Sequence, residues 1–209
     1  MTERGAPLMI LFYSPNSPYV RKVIVAVIEL GIGHLVEKKP TDVWGADSPV
    51  QASNPLGRIP TLLSDSGEAL YDSPVICEYL AATYGGSDFL PLDPAKRWPV
   101  LRRQALGDGL IDAAVQRALE VRRRPKELQW PDWIAHQKAV MLRAADALEK
   151  EAGRLNSEPD LGSIAIGCAL GYWDARFGDD RWWDGRPSLS AWFDRLSQRP
   201  SFRDSAPVS

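Results

Sequence analysis

The fold is decided by the stretch Ser17-Pro18-Tyr19-Val20-Arg21-Lys22-Val23, which closes a strand and opens a helix. The apolar run at 8–13 before it is typical of a strand buried on both faces. After it, apolar residues recur at helical spacing as far as Gly31, which ends the pattern. Proline suits the first helical turn, because its missing N–H costs no hydrogen bond there. Ser17 is therefore predicted at or beside the N-cap of this helix.

The rest of the first half predicts a small mixed sheet. Residues 34–38 read as a second strand, parallel to the first across a right-handed crossover. Short strands at 61–64 and 68–71 flank a compact hairpin turn. Ser73 as N-cap and Pro74 as first helical residue open a further helix. The order is βαβ followed by ββα.

The second half predicts helices and no strand. Amphipathic or apolar patterns cover residues 95–124, 132–152, 163–173 and 190–196. The third of these is apolar all round and belongs in the middle of a bundle, where Gly167 and Gly171 would admit a close neighbour. We predict an α/β domain over 1–85, a linker over 86–94 and an all-helical domain over 95–209.

Composition excludes several classes of function. The 209 residues carry 25 Lys and Arg against 27 Asp and Glu, a net charge of -2 that does not suggest a nucleic-acid or membrane partner. Two cysteines, Cys77 and Cys168, are too few for a disulfide scaffold. No apolar run reaches the roughly 20 residues that a membrane span needs, and residues 1–7 lack an apolar signal core. We expect a cytoplasmic protein.

Three motifs in order resemble the glutathione transferase superfamily, and the match covers nearly the whole chain. They are Ser17-Pro18-Tyr19, the run Asn-Pro-Leu-Gly-Arg-Ile-Pro at 54–60, and the pair Asp72-Ser73. Ser163-Ile164-Ala165 resembles the capping box of the family's helical domain, but Ile166 replaces the usual Asp, so we expect a broken box. The resemblance implies a thioredoxin-like N-terminal domain followed by an all-helical domain, as in small bacterial members of the serine type.

The resemblance also implies a catalytic hydroxyl. Ser17 would donate a hydrogen bond to the glutathione sulfur, and Ser14, directly after the first strand, is the rival. A nucleophilic serine would need an adjacent base, and the only histidines, His34 and His136, are not near this motif in the sequence. A glutathione thiol needs only its anion stabilised, because the thiolate is the nucleophile.

The other motifs imply a binding site for the rest of the tripeptide. Pro60 is expected to follow a cis peptide bond, with the Ile59 backbone pairing with the cysteinyl backbone. Ser73 suits the γ-glutamyl carboxylate and Asp72 the adjacent ammonium. Arg58 suits the glycyl carboxylate, or is a solvated surface charge.

The resemblance thus implies a transferase that conjugates glutathione, as co-substrate, to a small hydrophobic electrophile in detoxification, with no metal and no tightly bound cofactor. A homodimer is expected for the same reason. Three alternatives stay open: a glutathione-dependent isomerase or dehalogenase, a non-catalytic glutathione-binding or interaction protein, and a thiol-disulfide oxidoreductase. The last is disfavoured, because thiol-disulfide exchange needs an attacking sulfur and position 17 is serine.

Overall fold

The computed structural model describes residues 8–45, 47–85, 88–156 and 158–207. Contacts divide the chain into two compact units, one running to Arg97 and the other starting at Trp98. Gly86 and Ser87, the start of the predicted linker, lie outside the described residues, as does the N-terminal segment 1–7. The linker boundaries stay a prediction. No helix in the described ranges is long and apolar enough to cross a membrane.

The first unit is a four-stranded mixed sheet with helices. Its elements are β1 (Met9–Tyr13), α1 (Pro18–Glu29), β2 (Val36–Pro40), β3 (Thr61–Leu63), β4 (Ala69–Leu70) and α2 (Ser73–Tyr84). The strand order is β2-β1-β3-β4, with β1 parallel to β2 and antiparallel to β3. This confirms the predicted βαβ and ββα order, and with it the thioredoxin-like N-terminal domain.

The second strand was predicted two residues too early. Residues Gly33–Leu35 form a 3-10 turn closed by the Leu35 amide on the Ile32 carbonyl, so the strand starts at Val36. It is an edge strand with mostly exposed side chains. Lys39 Nζ lies 5.4 Å from the centre of the Phe12 ring on β1. Lysines on an edge strand discourage pairing with a second sheet.

The second unit consists of helices joined by loops, with no strand in its described residues. Its helices, with the start of the first one just before the unit boundary, are α3 (Pro94–Arg123), α4 (Pro131–Glu151), α5 (Leu161–Phe177), α6 (Pro187–Ser197) and α7 (Pro200–Arg203). The run from Leu161 to Leu170 is entirely buried, which confirms the predicted central helix. A Cβ at Gly167 would lie 2.5 Å from Leu196 Cδ2 and 2.6 Å from a Phe202 ring carbon, so the close approach predicted there is confirmed.

The start of α5 corrects the predicted capping box. The N-cap is Asp160, three residues before the position expected from the motif. Its Oδ1 accepts hydrogen bonds from the Ser163 amide at 2.7 Å and the Ser163 hydroxyl at 2.9 Å. The helix is therefore capped by Asp160 one turn earlier, and no capping box forms from Ser163 to Ile166, as expected. One acceptor, the Asp160 carboxylate, thus takes both Ser163 donors, unlike a capping box, in which the third helical residue accepts from the N-cap amide.

Asp180 fastens three helices of the second unit. Its carboxylate accepts hydrogen bonds from Arg117 on α3, Lys138 on α4 (2.6 Å) and the Trp173 indole on α5 (3.0 Å). The side chain is 7% exposed. Burial acts to raise the pKa of this carboxyl, but the three donors outweigh burial and lower the pKa from 3.8 to about 2.

We predict that Asp180→Asn lowers the free energy of unfolding by about 3 kcal/mol, because it leaves the largely buried Arg117 and the part-exposed Lys138 without their anion. Urea denaturation followed by far-UV circular dichroism measures this. The control is Asp179→Asn, which makes the same change at the exposed neighbouring position. Equal losses in the two variants would contradict the fastening role of Asp180.

The same carboxylate predicts an acid-dependent stability. Its folded-state pKa lies below its ordinary value, so its contribution is complete above about pH 4 and disappears as the pH falls through about 2. The difference in unfolding free energy between the wild type and Asp180→Asn should therefore shrink over that interval. A difference that stays constant from pH 5 to pH 2 would contradict the assignment.

Candidate functional site

Ser17 is the N-cap of α1, as predicted. Its backbone is extended, with φ -87° and ψ 119°, and its Oγ accepts a hydrogen bond from the Val20 amide at 3.3 Å. Within the described residues the hydroxyl makes no other hydrogen bond. A hydroxyl has one hydrogen and two lone pairs, so the capping contact leaves that hydrogen available for a ligand.

Ser14 lies in the same turn. Its carbonyl accepts from the Ser17 amide at 3.2 Å, which places both serines just beyond the carboxyl end of β1. Both are partly exposed. Ser17 differs from Ser14 in standing at a helix N-terminus, whose unpaired amides favour a negative charge nearby.

The loop at 54–60 is closed by the side chain of Asn54, a role that the sequence analysis missed. The side chain is 1% exposed, and its Nδ2 donates to the Arg58 carbonyl at 3.2 Å and to Thr61 Oγ1 at 2.9 Å. Its Oδ1 accepts from the Leu56 amide at 2.9 Å. Asparagine before proline is a known turn signal, and this was the clue in the sequence.

Ile59 in this closed loop is partly exposed, and its backbone groups have no partner within the described residues. The Ile59–Pro60 peptide bond is cis, as expected. The Arg58 carbonyl is occupied by Asn54 and Thr61, whereas within the described chain the Ile59 amide and carbonyl make no hydrogen bond. The Arg58 side chain is exposed, which fits either of its predicted roles.

In the third motif, Asp72-Ser73, the helix N-cap lies one residue earlier than predicted. Asp72, not Ser73, is the N-cap of α2, and Ser73 is the first helical residue with Pro74 after it. The Asp72 side chain is exposed and makes no capping hydrogen bond. The predicted assignment of Ser73 as N-cap was therefore wrong, because an N-cap is defined by backbone dihedral angles that serine and aspartate suit equally.

The Ser73 hydroxyl is hydrogen-bonded to the buried Lys22, a residue that the sequence did not suggest as part of the site. Lys22 Nζ on α1 lies 3.2 Å from Ser73 Oγ, and each residue is 1% exposed. Arg21 and Lys22 stand as adjacent charges inside an otherwise apolar helix, and that contrast was the signal in the sequence. Ser14 and Ser17 thus lie at the start of α1, and Ser73 is bonded to the same helix.

Metal and disulfide chemistry have no visible basis here. Across residues 8–45, 47–85, 88–156 and 158–207 there is no cluster of three or more His, Cys, Asp or Glu side chains that could hold a metal ion. Cys77 and Cys168 are both buried and reduced.

Comparisons with known proteins agree with the motifs. Residues 11–88 match the family model "Glutathione S-transferase, N-terminal domain", and residues 131–195 match "Glutathione S-transferase, C-terminal domain". The uncharacterized GST-like protein YibF of Escherichia coli K12 is 34% identical over 203 residues, which are 95% of this chain and 98% of YibF. The maleylacetoacetate isomerase of Pseudomonas aeruginosa is 32% identical over 76% of this chain and 75% of its own.

A solved structure is similar over nearly the full length. A glutathione transferase family member from Pseudomonas fluorescens Pf-5, crystallised with bound glutathione, superposes with a TM-score of 0.91 at 38% identity. The match covers 96% of this chain and 100% of that one.

We predict that Asn54→Asp lowers the free energy of unfolding by about 3 kcal/mol, because the two donated hydrogen bonds are replaced by oxygens facing oxygens in a buried site. Chemical denaturation measures the loss. The exposed Gln51→Glu makes the same charge change in the same segment and should cost little. If both variants lose equally, charge and not the Asn54 hydrogen bonds governs this loop.

Proposed function

We propose that this chain, which belongs to the glutathione S-transferase superfamily, binds glutathione on its first unit. It conjugates the glutathione thiolate to a small hydrophobic electrophile. The observation that carries the proposal is the hydroxyl of Ser17, which stands at a helix N-terminus with its hydrogen unused by the protein. Glutathione bound to the similar Pseudomonas fluorescens structure supports the choice of thiol.

Ser17 acts by stabilising the sulfur anion. Lowering a thiol pKa by about two units requires roughly 2.7 kcal/mol. A hydrogen bond to a charged group contributes roughly 1.5–3 kcal/mol, and the helix N-terminus adds about 0.3–1 kcal/mol. One hydroxyl at this position is therefore sufficient, without a general base or a metal ion.

The remaining contacts hold the tripeptide in place. The free amide and carbonyl of Ile59 pair with the cysteinyl backbone as an added strand would, next to Pro60. Ser73 and the start of α2 hold the γ-glutamyl carboxylate, and the exposed Asp72 takes the adjacent ammonium. Arg58, exposed on the same loop, takes the glycyl carboxylate.

The reaction step follows from these roles. The thiol proton passes to solvent, and the sulfur attacks the electrophilic carbon. A sulfur–carbon bond forms, and the leaving group departs with the electron pair of the bond that breaks. With an aryl halide the products are the glutathione thioether, a halide ion and a proton.

A glutathione-dependent isomerase is the second candidate, and the similarity to maleylacetoacetate isomerase favours it. The same thiolate would add to a conjugated double bond, rotation would follow about the new single bond, and elimination would return the thiol. A homodimer, a cytoplasmic location and a role in detoxification stay proposals from the family resemblance.

We predict that Ser17→Ala lowers kcat/KM for an aryl halide about 10- to 100-fold and raises the pKa of bound glutathione, because the thiolate loses its hydrogen-bond donor. The pH dependence of kcat/KM for the aryl halide, taken at saturating glutathione, measures both quantities, because the reacting enzyme form is then the glutathione complex. The dissociation constant for glutathione should change little.

Ser14→Ala is the matched control, since it removes the same atom from the same turn. It should retain most of the activity. A loss on Ser14→Ala alone would transfer the role to Ser14, and normal rates in both variants would exclude serine from thiolate stabilisation.

A further inference from the structure

Lys22 is a charged side chain buried within the first unit, on the helix that Ser17 caps. Its Nζ lies 3.2 Å from Ser73 Oγ, and this contact joins α1 to the first residue of α2. Both residues are 1% exposed, so bulk water screens the contact very little. The positive charge of Lys22 therefore lies next to the N-terminus of α2, which the proposed function assigns to the γ-glutamyl carboxylate.

The chemistry of the two groups sets the direction of this hydrogen bond. An ammonium has three donors and no acceptor, so Lys22 donates and the Ser73 oxygen accepts. The single hydroxyl hydrogen is not used in that contact, and within the described chain Ser73 Oγ makes no second hydrogen bond. Ser73 therefore meets a ligand as a hydrogen-bond donor.

The backbone at this helix start adds donors of the same kind. Ser73 is the first residue of α2, so its amide has no partner within the helix. The N-cap side chain of Asp72 does not occupy these amides. By contrast, the start of α5 is closed by the Asp160 carboxylate, and the start of α6 by Glu149, which accepts from the Ser188 and Leu189 amides.

We propose that Lys22 is a positioning residue that makes this helix start selective for a carboxylate over a neutral group. It fixes the Ser73 oxygen as an acceptor and polarises the hydroxyl, and its charge adds to that of the helix end. This inference rests on the proposed function, and the anion that it concerns is the α-carboxylate of the γ-glutamyl group of glutathione.

The test compares three ligands by isothermal titration calorimetry. They are glutathione, an analogue without the γ-glutamyl α-carboxylate (4-aminobutyryl-cysteinyl-glycine), and an analogue without the α-amino group (glutaryl-cysteinyl-glycine). Lys22→Met should raise the dissociation constant about tenfold for the two ligands that keep the carboxylate. It should change the constant less than twofold for the ligand without it.

Two control variants separate charge from shape. Lys22→Arg keeps the charge and a donor, so binding should stay within about threefold of the wild type. Lys96→Met removes the same charge from an exposed site in the first unit and should leave all three constants unchanged. A purely structural role for Lys22 predicts instead that Lys22→Met weakens the three ligands equally, or none of them, and either result overturns the inference.

Ser73→Ala keeps the test decisive if Lys22→Met does not fold. It removes the hydroxyl through which Lys22 acts on the ligand. The ratio of the dissociation constants of 4-aminobutyryl-cysteinyl-glycine and glutathione should therefore fall about tenfold. An unchanged preference overturns the role of Lys22 and the assignment of Ser73 to the carboxylate, while conjugation through Ser17 stands. Failure of the wild-type protein to bind glutathione at all would overturn both.

Discussion

The hydrogen bond from the Lys22 ammonium to the Ser73 hydroxyl is the physical constraint that ties together the helix starts of the candidate site. It joins α1 to the start of α2 inside the first unit, where both groups are shielded from water. A buried ammonium is costly unless hydrogen bonds compensate it, so such a contact has strict geometry. The two helix starts that carry Ser17 and Ser73 are therefore linked through α1.

Ser17 and Ser73 follow the same chemical pattern. Each hydroxyl oxygen accepts a hydrogen bond from a group that can only donate, the Val20 amide in one case and the Lys22 ammonium in the other. Within the described residues neither hydroxyl hydrogen is used in a hydrogen bond. In the second unit, carboxylates of Asp160 and Glu149 close helix starts from within. Open donors at helix starts attract an anion, and closed ones stabilise the bundle.

Prediction from the sequence succeeded where apolar residues recur at the regular spacing of a buried helix face. The period of the apolar residues gave α1 and the buried α5, and proline with serine gave the N-cap at Ser17. It failed where two residue types suit one position. Asp72 instead of Ser73 caps α2, and Asp160 instead of Ser163 caps α5, because aspartate and serine both accept from the same backbone amides.

By itself the sequence determined the order of elements and three ordered motifs, because helical periodicity, strand runs and turn residues are local properties of the chain. It did not determine which side chains those motifs meet. Lys22 and Ser73 are 51 residues apart, and Asn54 acts on Thr61 across a closed loop. Such contacts form when packing brings distant segments together, and no local pattern encodes the distance or direction of the resulting hydrogen bond. Tertiary structure alone decided that the buried Lys22 on α1 donates to the first residue of α2.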